Sequence, residues 1–248
     1  MSGLLVGVGV GPGDPELVTV KALRTLRDAD AILVPVLDTG EAGRAETIVR
    51  AHLGDDPRVR RAVFALNDRG GVTPRRAAAW DAAARTAVDL LRDGADTVAF
   101  ATIGDPNLYS TFTYLARTVR DLAPGTRIET VPGITAMQDL AARSGTVLAE
   151  GDEPLTLLPL AGRRPGARDL LRAALRGAGT VVAYKFGSRT AAVRADLRES
   201  GRLESAVYGA RLGLDGERVA AAAELDGPAP YLSTLIAPAR RTTRGGRL

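Results

Sequence analysis

Cysteine is absent from this chain of 248 residues. That single absence excludes disulfides, thiolate zinc sites, iron–sulfur ligation and a cysteine nucleophile, and a reducing cytoplasm is the expected setting. The lone histidine, His52, cannot form a metal cluster by itself, and near a helix C-terminus it is read as a favourable dipole contact. Aromatic residues amount to 4%, too few for a base-stacking surface. No stretch approaches the run of about 18 apolar residues that a membrane helix needs. Met1-Ser2-Gly3-Leu4-Leu5 leads into a glycine-rich turn without a basic n-region or an apolar h-region, so neither secretion nor membrane insertion is expected.

What is present is ordinary for a globular protein: 45% apolar and 25% charged residues, enough to bury one large or two smaller α/β cores. The sequence pI of about 9.8 suggests nucleic acid until the charge is located. Arg240, Arg241, Arg244 and Arg247 supply four of the 33 basic residues, and without them 29 basic residues face 29 acidic ones. The body is neutral, so no basic groove is expected along the fold, and residues 239–248 read as a disordered basic tail. Lys21 and Lys185 are the only lysines, which weakens arginine counts as evidence.

Leu4 to Val10 reads as a buried strand ending in Gly9-Val10-Gly11-Pro12-Gly13-Asp14-Pro15. A helix capped by Asp14 is expected to carry Leu17, Val20, Leu23 and Leu26 on one face as far as Asp28. The pattern continues with strand Ala31 to Leu37, helix Ala45 to Leu53, strand Arg61 to Leu66, helix Pro74 to Arg92, strand Thr97 to Thr102 and helix Tyr109 to Leu122. Ala123-Pro124-Gly125 is the best linker signal and divides the chain into an N-terminal α/β domain, 1–123, and a C-terminal one, 124–238. The second half reads as strand Arg127 to Val131, helix Thr135 to Ser144, strand Thr156 to Pro159, helix Ala167 to Arg176, strand Thr180 to Lys185, helix Arg189 to Ser200, strand Ala206 to Leu212 and strand Tyr231 to Ala237. Trp80, on the alanine-rich helix, reads as core.

A glycine-rich turn between a strand and a helix lets a ligand approach backbone amides at the helix N-terminus. A dinucleotide reading is weakened, because the sixth position of that fingerprint is Pro12 counting from Gly7 and Asp14 counting from Gly9. The turn is not a Walker loop, since Val20 and Tyr184 precede the two lysines. Two further turns, Gly104-Asp105-Pro106 and Val131-Pro132-Gly133-Ile134-Thr135, also join an expected strand to a helix, and parallel strands bring such turns to one crevice. Asp105 can accept hydrogen bonds from a ribose or amino group, or cap a helix; the Thr135 hydroxyl has the same two roles open.

These residues resemble a known family. Gly7 to Pro15, Gly104-Asp105-Pro106 with Tyr109-Ser110-Thr111, and Val131 to Thr135 are similar to the three successive signatures of the tetrapyrrole methylases, and the likeness runs from Leu4 to about Pro238. A narrower likeness, to members that methylate precorrin-2 at C20, rests on Ala29-Asp30-Ala31-Ile32 followed by Pro35, on Ala79-Trp80-Asp81, on Asp105 to Phe112, on Ala149 to Glu153 and on Tyr231 to Leu235.

The resemblance implies two α/β domains with a cofactor cleft between them, a homodimer, and methyl transfer from S-adenosylmethionine, leaving S-adenosylhomocysteine. It implies cofactor contacts at Pro12, Ile103, Gly104, Asp105, Leu108, Thr135 and Ala136, and adenine contacts at Tyr184 to Phe186, Leu212, Gly213 and Thr234. Pro35 stands where uroporphyrinogen methylases carry an aspartate proposed as a base, which disfavours that activity. A reduced tetrapyrrole has electron-rich carbons that can attack a sulfonium methyl directly, so the enzyme's task is in-line positioning. Glu150, Asp152 and Glu153 form a compact acidic loop; Glu150 and Asp152 are candidates for accepting the released proton, against the alternative of a solvated loop. For a polycarboxylate substrate, Arg44, Arg163, Arg164 and Tyr109 are candidate contacts. Lys185 either faces the cofactor or caps a strand end. A cobalt-containing substrate, methylation elsewhere on the ring or of the diphthamide precursor, and a sensor of S-adenosylmethionine or corrinoid stay open as alternatives.

Overall fold

The structure is a computed structural model and describes residues 3–65, 72–160 and 166–241. It falls into two compact units, Met1–Thr135 and Ala136–Leu248, each built on one five-stranded sheet. Among the described residues no helix is long and apolar enough to cross a membrane.

The first sheet comprises β1 (Leu4–Gly9), β2 (Ala31–Val36), β3 (Val59–Val63), β4 (Thr97–Thr102) and β5 (Arg127–Val131), in the order β3-β2-β4-β1-β5 and parallel throughout. Strand alternation divides its side chains between two cores. Leu5, Leu33 and Phe100 meet α3 (Pro74–Arg92) and α4 (Phe112–Leu122) through Ala84, Ala87, Leu115 and Val119. Val6, Ile32 and Ala99 meet α1 (Val20–Asp28) and α2 (Arg44–Leu53) through Leu26, Ile48 and Val49. A sheet buried on both faces accounts for the nearly continuous apolar strands. Trp80 is half-buried against the first of these cores and stacks on Tyr114, with ring centroids 4.2 Å apart.

Two expectations for this unit are corrected. The boundary lies after Thr135 rather than at residue 123, because β5 is not the start of a new sheet: Leu4 to Val8 pair with Arg127 to Val131. Asp14 caps only one 3₁₀ turn, Pro15–Leu17, through its Oδ1 and the Glu16 amide; the helix proper begins after Thr19, whose Oγ1 accepts from the Ala22 amide. His52 stands in the last turn of α2, as expected, and its Nε2 also lies 2.8 Å from the Pro15 carbonyl oxygen.

The second unit contains α5 (Ala136–Ser144), β6 (Leu155–Pro159), α6 (Ala167–Arg176), β7 (Thr180–Tyr184), α7 (Thr190–Glu199), β8 (Val207–Ala210), β9 (Arg218–Ala221) and β10 (Ser233–Ala237). Its sheet is mixed, in the order β6-β7-β10-β8-β9: β6 and β7 are parallel, while β10 runs antiparallel to β7 and β8, and β9 to β8. Helices α6 and α7 cover one face over Val181, Ala183 and Leu235; α5 covers part of the other over Val182, Ile236 and Leu212. Residues 239–241, expected to belong to a disordered tail, are packed. The Ala239 amide donates to Thr180 Oγ1, Arg240 to the Ser200 carbonyl, and Arg241 to Glu153. Residues 242–248 lie outside the described residues.

Candidate functional site

In a parallel sheet the carboxyl ends of the strands share one edge. In the first unit that edge carries all three glycine turns, after β1, β4 and β5. They touch through their backbones. The Gly104 amide donates to the Gly11 carbonyl at 2.7 Å, and the Val10 amide to the Thr102 carbonyl at 2.9 Å. A Cβ added at Gly133 would stand 2.1 Å from the Gly104 carbonyl oxygen, and one at Gly9 would stand 2.6 Å from the Gly133 nitrogen. No side chain fits there, so the three turns pack main chain against main chain. Gly11 and Gly104 have φ of +82° and +69°, a region that other residues rarely enter.

Asp105 does not cap α4. Its Oδ2 accepts from the Gly133 amide at 3.0 Å and its Oδ1 from the Asn107 amide at 2.8 Å, so it clasps the second turn to the third. A carboxylate has about four lone-pair sites, which leaves it able to accept from a ligand as well. The N-terminal part of the expected helix at residues 109–111 is a turn instead. Tyr109 has φ of +52° and is 44% exposed, and its phenol is pushed up by burial. Ser110 Oγ accepts from the Phe112 amide and sits 2.9 Å from Thr102 Oγ1, which starts α4 at Phe112. Pro12 is buried; Ile103 and Leu108 are half-buried on the same turns. Thr135 is buried immediately before α5.

Arg44 is the first residue of α2 and is exposed, in the connection after β2 and thus at the same edge. Beneath that connection Glu46 is fully buried. Arg61 donates to both its oxygens, at 2.7 and 3.1 Å, and Arg50 to Oε1 at 2.8 Å, while Arg61 also holds the Thr39 carbonyl at 2.6 Å. Burial would raise the Glu46 carboxyl, but hydrogen bonds and charge from Arg61 and Arg50 outweigh it and hold the group below the ordinary carboxylate range. Pro35 is the penultimate residue of β2.

In the second unit the ends of β7, β10 and β8 also line up, since Thr234 pairs with Tyr184 on one side and Gly209 on the other. Tyr184, Ala136 and Leu212 join one apolar cluster with Leu140, and the Met137 amide donates to the Tyr184 hydroxyl at 3.2 Å. Thr234 is buried on the same face by strand alternation. Lys185 and Arg211, which follow β7 and β8, have φ of +57° and +52°. Such non-glycine strain persists where the surrounding structure over-determines it. The Gly213 amide donates to Glu217 at 2.6 Å. Phe186 is a correction: its ring is 0% exposed among Leu160, Leu171 and Val193 on the opposite face, so its side chain serves the core and not a ligand.

The acidic loop is partly engaged. Arg241 donates to Glu153 Oε2 at 2.5 Å and lies 3.5 Å from Glu150, and the hydrogen bond from Arg241 holds the Glu153 carboxyl below its ordinary value. Asp152 is exposed. Arg163 and Arg164 lie outside the described residues. Sequence reasoning missed the Arg241 tie and the ion pairs of Glu46. The four-residue spacing of Glu46 and Arg50 signals one of them; the partners far along the chain leave no local signal.

A family profile described as tetrapyrrole (corrin/porphyrin) methylases matches residues 4–226. This chain belongs to the tetrapyrrole methylases. It is similar to a precorrin-2 C(20)-methyltransferase of Sinorhizobium, at 32% identity over 95% of each chain. A cobalt-precorrin-2 C(20)-methyltransferase of Salmonella typhimurium is 31% identical over 95% of this chain and 96% of that one. Among solved structures, a uroporphyrin-III C-methyltransferase of Thermus thermophilus, complexed with S-adenosylhomocysteine, superposes with a TM-score of 0.64 at 22% identity, covering 95% and 97% of the two chains. Tetrapyrrole methylases are methyltransferases that depend on S-adenosylmethionine.

Proposed function

We propose that this methylase transfers a methyl group from S-adenosylmethionine to C20 of precorrin-2, giving precorrin-3A on the route to cobalamin, as a cytoplasmic homodimer. The observation that carries the cofactor part is the meeting of three glycine turns whose backbones leave no room for a Cβ at Gly9 or Gly133. The substrate part is supported by likeness over nearly the whole chain to two C20 enzymes.

When bound, the cofactor supplies an electrophilic methyl on a sulfonium. In the first unit we assign Pro12, Ile103, Gly104, Asp105, Leu108 and Thr135 to its methionine and ribose parts; in the second, Ala136, Tyr184, Leu212, Gly213 and Thr234 to its adenine. Their work is orientation and exclusion of water. Holding reacting atoms in line can contribute on the order of 7–11 kcal/mol, and a dry site disfavours the charged sulfonium relative to the transition state, where its charge is spread. Arg44, Arg163 and Tyr109 are assigned to the substrate's carboxylates and ring, and Glu150 and Asp152 to the proton that leaves the methylated carbon.

The near-equal likeness to the metal-free and the cobalt-utilising enzymes supports a second reading, methylation of the cobalt-containing ring. The test is anaerobic incubation with S-adenosylmethionine and, in parallel, precorrin-2 or its cobalt form, reading product mass and then the carbon by NMR. One added methyl at C20 of precorrin-2 is expected. Addition only to the cobalt form favours the second reading, and no addition to either overturns the C20 assignment.

A further inference from the structure

The polypeptide after β8 makes a tight double turn. Leu214 donates to the Arg211 carbonyl at 2.9 Å and Glu217 to the Leu214 carbonyl at 3.0 Å, with Arg211, Gly213 and Gly216 all at positive φ. Such a segment has few main-chain bonds to fix its orientation, yet it contains Leu212 and Gly213. Two tethers join it to α5. One is apolar: Leu212 packs with Leu140 of α5, and both side chains reach the space that a Cβ at Gly209 would fill.

The other tether is a relay of charges. Asp139 of α5 is 4% exposed, and its Oδ1 accepts from Arg143 Nε, one turn on, at 2.7 Å. Arg143 Nη1 donates to Glu217 Oε1 at 2.8 Å, and Glu217 Oε2 accepts from the Gly213 amide at 2.6 Å. A trans peptide directs its carbonyl opposite to its N–H. By holding the Gly213 N–H, Glu217 therefore turns the Leu212 carbonyl away from itself and fixes the plane of that peptide. The same helix positions the Tyr184 hydroxyl through the Met137 amide, so α5 sets the geometry at the ends of both β7 and β8.

We infer that Glu217, braced by Arg143 and Asp139, is a positioning residue that pre-orients the Leu212–Gly213 peptide for the nucleoside part of the cofactor. The inference rests on the proposed role of Leu212 and Gly213 in holding that nucleoside. Preorganisation contributes to affinity by removing the cost of ordering the turn on binding. Glu217 is about one-third exposed and Arg143 about as much, so their exchange leaves the cores intact. Arg143→Ala would also strand the buried Asp139 carboxylate, and Glu217 is therefore the position to change.

The experiment titrates S-adenosylhomocysteine into the full chain by calorimetry, for wild type, Glu217→Ala, Glu217→Gln and, as a control in the other unit, Asp105→Ala, together with Gly213 amide exchange by NMR. Glu217→Ala is expected to raise Kd about tenfold, the effect of losing one charge-assisted hydrogen bond, and to speed Gly213 exchange. Glu217→Gln, which keeps an acceptor for the amide but not the ion pair, is expected to recover most of the affinity. In turnover, KM for S-adenosylmethionine should rise while KM for the tetrapyrrole stays put. A lowered Tm with unchanged Kd in Glu217→Ala, alongside weakened binding in Asp105→Ala, overturns the inference and leaves the cofactor reading standing. No binding by the wild type overturns both.

Discussion

The two units hold the ends of their strands with different materials. In the first, the carboxyl edge of the sheet is main chain against main chain: Gly9 and Gly133 meet each other and the Gly104 carbonyl at distances that leave no room for a Cβ on either. In the second, the corresponding strand ends are set by side chains, through Leu212 on Leu140, Tyr184 on the Met137 amide and Glu217 on the Gly213 amide. A backbone contact is rigid, because neither partner has a rotamer to give, whereas a side-chain contact can relax. The first unit is therefore expected to tolerate no change at its turns, and the second to tune its geometry by degrees.

The largest effect expected is the one that breaks this contrast most directly. Gly133→Ala sets a Cβ 2.1 Å from the Gly104 carbonyl oxygen, and separating the two turns should cost about 3 kcal/mol or more and abolish S-adenosylhomocysteine binding. Gly209→Ala meets only the ends of Leu212 and Leu140, at 2.8 and 2.9 Å, and should cost about 1 kcal/mol with weakened but measurable binding. Denaturant titration and calorimetry of both variants check this. Equal losses would remove the distinction between the units.

Each unit also buries one carboxylate between two arginines, which allows a sharper comparison. Glu46 is held by Arg61 and Arg50, and Asp196, joining α7 to α6, by Arg168 and Arg172 at 2.8 Å each. Burial would raise the Asp196 carboxyl, yet its two arginines hold it below the ordinary value, as happens to Glu46. A carboxyl with a depressed folded-state pKa contributes stability that is present above its unfolded value and lost as pH falls through the folded one. Acid should therefore destabilise both units. Glu46→Gln and Asp196→Asn should each lower stability at neutral pH by about 2 kcal/mol and flatten its fall on acidification. Tm measured from neutral to acidic pH reads both; a variant that keeps the wild-type slope would show that its carboxylate does not drive acid sensitivity.

The legible parts of the sequence were those whose cause is local. Glycine turns announce themselves because a positive φ or a close approach is a demand on a single residue, and the apolar strands of the parallel sheet read as continuous runs. The sheet to which Arg127–Val131 belongs was not legible, since the Ala123-Pro124-Gly125 turn marks a break in the chain and says nothing of pairing with β1. Strand β9 was missed because Arg218-Val219-Ala220-Ala221 has neither clear alternation nor bulk. The Gly104-Asp105 turn was legible as a turn, but not what Asp105 grips, because its partner Gly133 lies 28 residues away. The relay from Asp139 to Glu217 was hidden for the same reason: Asp139 and Arg143 share a helix face, while Glu217 joins them only once the sheet has formed.

The smallest expected effects lie in the acidic loop, where a structural and a chemical role can be separated residue by residue. Glu153 carries the closer contact with Arg241, at 2.5 Å against 3.5 Å for Glu150, and it also accepts from the Glu150 amide at 2.9 Å. Glu153→Gln should therefore lower Tm slightly without changing turnover. Glu150→Gln and Asp152→Asn should leave Tm unchanged. If the loop accepts the proton from the methylated carbon, one of these two should lower kcat with KM for S-adenosylmethionine unaltered, because a group acting after substrate binding changes the chemical step and not the affinity. Wild-type kcat in both would take the loop out of the chemistry and leave it the structural role of holding Arg241.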